Sequence, residues 1–178
     1  MSEGERIGAP VPALELPDTS GEPVALPSAG EAPATVVVWT CNHCPYALAW
    51  HDRIVDAARD YSERGVRFIA VNSNDSDRYS ADSQEAMRER FERERWPFPY
   101  LWDESQEAAR AWDARVTPHL FVLDGELRLR YEGAPDADHQ DPSQRAAWLR
   151  AALDAVLDGS EPEPARTEPV GCSLKWKP

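Results

Sequence analysis

The sequence predicts an α/β fold built on a mixed central β-sheet with helices on both faces. Three observations carry that expectation. Thr35 to Thr40 (TVVVWT) and Val66 to Asn72 (VRFIAVN) are continuous apolar runs rich in β-branched and aromatic residues, the composition of strands buried on both faces. A helical stretch separates them, so they pair in parallel through a right-handed crossover. Later, Asp124-Gly125 stands between Leu120 to Asp124 and Leu127 to Tyr131, which marks an antiparallel hairpin at a sheet edge.

From the N-terminus, residues 8 to 30 are broken by Pro10, Pro12, Pro17, Pro23 and Pro27, with a turn at Asp18-Thr-Ser-Gly21 and a short strand at Val24 to Leu26. After the first buried strand, Pro45 to Arg64 reads as a helix closed by Gly65. The second buried strand runs into a polar loop, Ser73 to Ser80. Ser83 to Arg95 is a charged helix whose few apolar contacts are Ala86, Met87 and Phe91, so a solvated face with ion pairs is expected. Trp96-Pro-Phe-Pro-Tyr100 is excluded from helix by its prolines. A short helix spans Ser105 to Trp112, the hairpin comes next, and Gln144 to Leu157 is a last amphipathic helix. Beyond Gly159, Pro162, Pro164 and Pro169 predict an extended tail over 159–178. Residues 1–178 are expected to form a single domain, with no internal repeat.

Composition bounds the function. The chain has 178 residues, 42% hydrophobic and 29% charged, enough for a core without disulfide staples. Nineteen basic residues against 32 acidic ones give a net charge of -13, which argues against nucleic acid and anionic membranes as partners. No apolar run reaches the roughly 18 residues that span a bilayer. Acids stand at the N-terminus where a signal peptide carries positive charge, so the expected location is the cytoplasm. In that reducing compartment three cysteines point to catalysis or metal binding rather than to a structural framework.

Cys41-Asn-His-Cys44 comes directly after a buried strand and opens a helix. A helix N-terminus stabilises a thiolate, and the two-residue spacing lets one thiol resolve a mixed disulfide on the other. Pro45 in the first turn loses no hydrogen bond. A Cys-x-x-Cys is also half of a zinc site, but a second pair is missing; copper held by two thiols and a histidine, and two inert cysteines, are the other readings.

Val36 to Cys44, Val116-Thr-Pro-His-Leu-Phe-Val-Leu-Asp124 and the Asp-Gly hairpin resemble the thioredoxin superfamily. The resemblance implies a thioredoxin fold with Pro118 as the cis-proline facing the cysteines, and with the Thr117 backbone pairing an incoming substrate strand. The opening, Ile7 to Gly21, resembles peroxiredoxins of the alkyl hydroperoxide reductase type. Cys41 to Tyr46 and Gly171 to Lys177 are similar to a bacterial peroxiredoxin-like subgroup. The site departs from both patterns. Registering the peroxidatic cysteine on Cys44 puts Val37 at the family's Pro, Cys41 at its Thr and Pro118 at its Arg. Thr35 stands where thioredoxins carry a buried Asp. His43 before the second cysteine resembles more oxidising members, such as protein disulfide isomerase.

These readings converge on a cytoplasmic thiol–disulfide oxidoreductase using a Cys41–Cys44 redox pair. Its catalytic residues would be Cys41, Cys44 and Pro118, with Thr117 and His43 contacting substrate and no metal or other cofactor. Cys41 is expected at an exposed mouth as the attacking thiolate, with Cys44 one turn deeper. Cys172, His51 and His119 are auxiliary candidates: Cys172 as a third redox partner or an incidental thiol, His51 as a proton partner or a packing residue, His119 as strand surface or active-site rim. His139 is expected in solvent. Partners would be protein or small-molecule thiols and disulfides, with a thioredoxin- or glutathione-type electron donor. Two rivals stand beside this reading. One is a thiol peroxidase with peroxides as substrate and Cys44 peroxidatic. The other is a non-enzymatic copper or zinc carrier using Cys41, Cys44 and a histidine.

Overall fold

Successive side chains of a strand point to opposite faces, so each buried strand feeds both halves of the core. The computed structural model describes residues 6–178, and its central strand β3 (Ala34–Trp39) shows the rule. Val36 and Val38 pack on one side, Val37 and Trp39 on the other, and all four are fully buried. The first side is covered by α1 (Pro45–Ser62), α2 (Gln84–Glu94) and α4 (Ala147–Asp158), through Trp50, Ile54, Met87, Leu149 and Leu153. The second is covered by α3 (Glu107–Trp112) and by Leu14, which precedes a small antiparallel hairpin of β1 (Glu15–Pro17) and β2 (Pro23–Ala25).

The five-stranded sheet adds β4 (Arg67–Asn72), β5 (Tyr100–Trp102), β7 (His119–Asp124) and β8 (Leu129–Gly133), in the order β5-β4-β3-β7-β8. β3, β4 and β5 are parallel, while β7 runs antiparallel to β3 and to β8. Mixed sheet, crossover helices and edge hairpin are the architecture expected from the sequence. Among the described residues no helix is long and apolar enough to cross a membrane.

Four details differ from expectation. Tyr100–Trp102 is a third parallel strand; three residues beside a proline-rich turn are too few to show a period. The late hairpin resumes at Leu129 rather than Leu127, because Leu127 adopts φ 63 and the Asp124 carboxylate accepts the Glu126 and Arg128 N–H groups to shape the turn. The last helix starts at Ala147, because Arg145 and Ala146 both take left-handed φ after a 3-10 turn over Pro142–Gln144. The tail is extended as expected but is stitched to the domain. Glu132 exchanges backbone hydrogen bonds with Ala165 and Thr167, and β9 (Cys172–Ser173) pairs antiparallel with β6 (Val116–Thr117).

The Ala146 break is held by Asp136. Its buried carboxylate accepts from Ala146 N, from Trp50 Nε1 at 2.8 Å and from Arg53 Nη1 at 2.9 Å. Asp136→Ala leaves Arg53 as an unpaired buried cation, so a loss of about 3–5 kcal/mol is expected in urea unfolding. A loss under about 1 kcal/mol would show that this cluster does not anchor the start of α4.

Candidate active site

β3 ends at Trp39, and the chain turns through Thr40–His43 before α1 begins. Cys44 is the N-cap of that helix, with extended φ −77 and ψ 123, and Pro45 occupies the first turn. A side chain at a helix N-cap sits in the positive field of unpaired N–H groups. Opposite it the Thr117–Pro118 peptide bond is cis, and the Thr117 carbonyl lies 3.3 Å from Cys44 Sγ. Thr117 Oγ1 lies 3.4 Å from Cys41 Sγ. The sheet therefore brings Cys41, Cys44, Thr117 and Pro118 together.

The expected division between the two cysteines is overturned. Cys41 is not exposed: it is 1% accessible, and Cys44 is 0%. The cause is a polar network that pulls the loop inward. The buried Asp82 carboxylate accepts the Asn42 backbone N–H at 2.6 Å, the amides of Asn72 and Asn74 at 3.1 Å, and His43 Nδ1. Arg90 Nη1 donates to the Cys41 carbonyl and to Asn42 Oδ1, which also accepts the Tyr100 hydroxyl.

Electrostatics then favours Cys44 as the thiolate. The Cys41 thiol donates to it, a contact that lowers the Cys44 pKa well below an ordinary thiol and raises that of Cys41. Burial and the neighbouring Asp82 carboxylate also raise Cys41, while a contact from the Cys172 thiol lowers Cys44 further. When protonated, Cys44 has the Thr117 carbonyl as acceptor.

His119 and His139 sit differently from expectation, while His51 takes the packing role that is one of its two readings. His43 is not free in solvent: it is bonded to Asp82 and stacked on Tyr79 with centroids 5.3 Å apart. His51 is no proton partner of the cysteines. It packs on Trp96, 3.4 Å from Glu94, and burial, aided by Arg90, pushes its pKa down to about 4. His119 is neither strand surface nor rim but a core residue, accepting from Arg115 N through Nδ1, with Nε2 on Glu132 at 3.2 Å. Burial lowers its pKa against the opposing pull of Glu132. His139 packs against Tyr46 and Trp50 rather than standing in solvent.

Sequence reasoning missed Asp82 and Arg90. Arg90 lies on the helix expected to be a solvated face, yet is 5% accessible. The signal available was the Asn72-Ser-Asn-Asp75 run, since Asn72 and Asn74 both reach Asp82. Donor atoms of Cys41, His43 and Asp82 lie within 4.8 Å of one another, a group that could hold a metal. Both Asp82 oxygens are already engaged as acceptors, so a metal there would compete with the bonds that hold the loop.

The AhpC/TSA family model matches residues 7–132. The chain belongs to that family. Among solved structures, an uncharacterized conserved protein from Geobacillus kaustophilus is 38% identical, with TM-score 0.89 over 97% of this chain and 93% of its own. A hypothetical protein from Sinorhizobium meliloti is 32% identical, with TM-score 0.89 over 96% of this chain and 94% of its own. The peroxidoxin BcpB from Mycobacterium tuberculosis shares the fold, at 18% identity and TM-score 0.62 over 86% of this chain and 94% of its own. No protein in the curated set matches the chain. The fold is thus a thioredoxin fold, and the family is one of thiol-dependent oxidoreductases and peroxidases.

This geometry can be tested at two groups. Thiolate absorbance near 240 nm at neutral pH is expected to vanish in Cys44→Ser. In Cys41→Ala it is expected to persist with a higher apparent pKa, since the thiolate loses the thiol beside it; the reverse pattern would assign the thiolate to Cys41. For His51, the unfolded imidazole titrates near 6.5 and the folded one near 4. Stability is therefore complete above pH 6.5, and as pH falls towards 4 it declines by roughly 3 kcal/mol through protons the folded state refuses. His51→Gln removes that slope from denaturation curves; an unchanged slope would assign it elsewhere.

Proposed function

We propose that this protein is a thiol–disulfide oxidoreductase in which Cys41 and Cys44 interconvert between dithiol and disulfide. The observation that carries the reading is the sulfur pair itself: two thiols buried in one cluster at a helix N-cap, bracketed by the Thr117 side chain and carbonyl. The Cys44 thiolate attacks one sulfur of a substrate disulfide, forming a mixed disulfide and expelling a substrate thiolate. Cys41 then attacks Cys44 Sγ, its proton passing to the expelled thiolate. The Cys41–Cys44 bond closes and the second substrate sulfur leaves as a thiolate that takes its proton from water, so the substrate gains the two electrons the pair loses. A thioredoxin- or glutathione-type thiol returns those electrons. Thr117 Oγ1 holds Cys41 Sγ beside its target, and Asp82 positions the loop through Asn42.

Burial of both sulfurs favours a second reading, a thiol peroxidase with Cys44 as the attacking thiolate, because a peroxide is small enough to reach it. Against it stand Cys41 and Pro118 at the positions where the resembling peroxiredoxins carry Thr and Arg. Arg90 does not substitute for that Arg, since its guanidinium is bonded to the Cys41 carbonyl and Asn42.

Diamide oxidation is expected to remove two hydrogens from the protein mass through a Cys41–Cys44 link. A glutathione titration is expected to give a couple more oxidising than the about −270 mV of thioredoxin, because a stabilised thiolate favours the reduced form. Peroxide consumption is expected at least about 100-fold below that of a peroxiredoxin that carries the Thr and Arg, since one missing transition-state donor costs that much. Peroxide turnover through a Cys44 sulfenic acid in Cys41→Ser, at the wild-type rate, would put the peroxidase first.

A further inference from the structure

A redox pair sealed from solvent needs a route for electrons, and the third cysteine stands on that route. Cys172 lies in β9, directly opposite Thr117 in the antiparallel register with β6. It packs against the buried cluster of Cys41, Cys44 and Ala47, and its register partner Thr117 carries the carbonyl that lies 3.3 Å from Cys44 Sγ. Cys41 and Cys44 are buried, whereas Cys172 is partly exposed. It alone of the three touches both the buried pair and solvent.

The tail is built to stay there. Leu174 N donates to the Arg115 carbonyl, and three further bonds fix the next residue: Lys175 N to Asn74 Oδ1, Asp75 N to the Lys175 carbonyl, and Gln106 Nε2 to the same carbonyl. Leu174 is itself buried in the core. Gly171 seats the strand, since a Cβ there would fall 2.0 Å from the Thr117 carbonyl oxygen and 2.7 Å from its carbon. Only glycine lets the tail approach the Thr117–Pro118 segment closely enough to set Cys172 beside Cys44.

Resting on the dithiol reading above, we propose that Cys172 is the outlet of a three-cysteine relay: it takes over the disulfide formed between Cys41 and Cys44, and external thiols reduce the protein at Cys172. The Cys172 thiolate attacks Cys44 Sγ. The Cys172–Cys44 bond forms as the Cys44–Cys41 bond breaks, and the electron pair leaves on Cys41, which takes up the proton that Cys172 gave up. No net oxidation occurs. A small thiol of the glutathione class then attacks Cys172 Sγ and expels Cys44 as thiolate. A second such thiol resolves the mixed disulfide, leaving one oxidised thiol dimer and three reduced cysteines. The charge distribution supports the order of events. After burial, the contact with Cys44 is what holds the Cys172 thiol protonated, while Lys175 acts the other way. Oxidation of Cys44 removes its charge and with it one of the influences that hold Cys172 protonated, so the Cys172 thiolate forms more readily when there is a disulfide to accept.

The test is non-reducing peptide mapping of the full chain after diamide, with reduction kinetics in glutathione. Wild type is expected to show both Cys41–Cys44 and Cys44–Cys172 links, and Cys41→Ser to show Cys44–Cys172 alone. Cys172→Ser is expected to keep the Cys41–Cys44 link but to be reduced by glutathione at least tenfold more slowly. Gly171→Ala, which pushes the strand outward without touching a thiol, is expected to lower the Cys44–Cys172 yield and leave Cys41–Cys44 intact. A free Cys172 in oxidised Cys41→Ser, or Cys172→Ser reduced at the wild-type rate, overturns the relay alone. Failure of Cys41 and Cys44 to pair in any sample overturns the dithiol reading and the relay with it.

Discussion

The buried carboxylate of Asp82 is the interaction on which the rest of the site depends. A carboxylate taken out of water is tolerated only when its lone pairs are filled, and here four donors fill them. Those donors come from two parts of the chain. Asn42 and His43 belong to the cysteine loop, Asn72 to the end of β4 and Asn74 to the loop after it. Because a vacated bond would leave a buried charge unsatisfied, the cysteine loop is held inward rather than projecting. The same network reaches the tail, since Asn74 Oδ1 accepts from Lys175 N. One group thus fixes both sides of the thiol pair.

Thr117 plays the complementary part. Its hydroxyl faces Cys41, its carbonyl faces Cys44, and its strand position faces Cys172. All three sulfurs are therefore referenced to one residue at the end of a two-residue strand. This gives an AhpC/TSA scaffold in which the groups around the sulfurs are other sulfurs, a hydroxyl and a carbonyl.

The features legible in the sequence were those whose signal is local. β-branched runs marked β3 and β4, because strands buried on both faces need uninterrupted apolar side chains. A Cys-x-x-Cys with Pro next to it at a strand-to-helix turn marked the thiols, because the helix field acts over a few residues. Asp124-Gly125 marked the hairpin, because turn chemistry is set by the turn's own residues. The starting points of β8 and α4 were missed by a few residues. Left-handed φ at Leu127, Arg145 and Ala146 goes against their propensities and is imposed by contacts to Asp124 and Asp136.

The sequence by itself determined the two long parallel strands, the edge hairpin and the crossover helices, and its family resemblance implied Pro118 facing the two cysteines. Only the tertiary structure decided that both thiols of the pair are buried, that Arg90 and Asp82 lie beneath the loop, that His51 and His119 belong to the core, and that the tail sets Cys172 beside Cys44. Each of these rests on partners far apart in the chain: Arg90 meets Cys41 across 49 positions, and Thr117 pairs with Cys172 through two-residue strands too short to leave a pattern. Periodicity and capping report a residue's immediate neighbours. Burial, charge and strand pairing depend on what the folded chain brings against them.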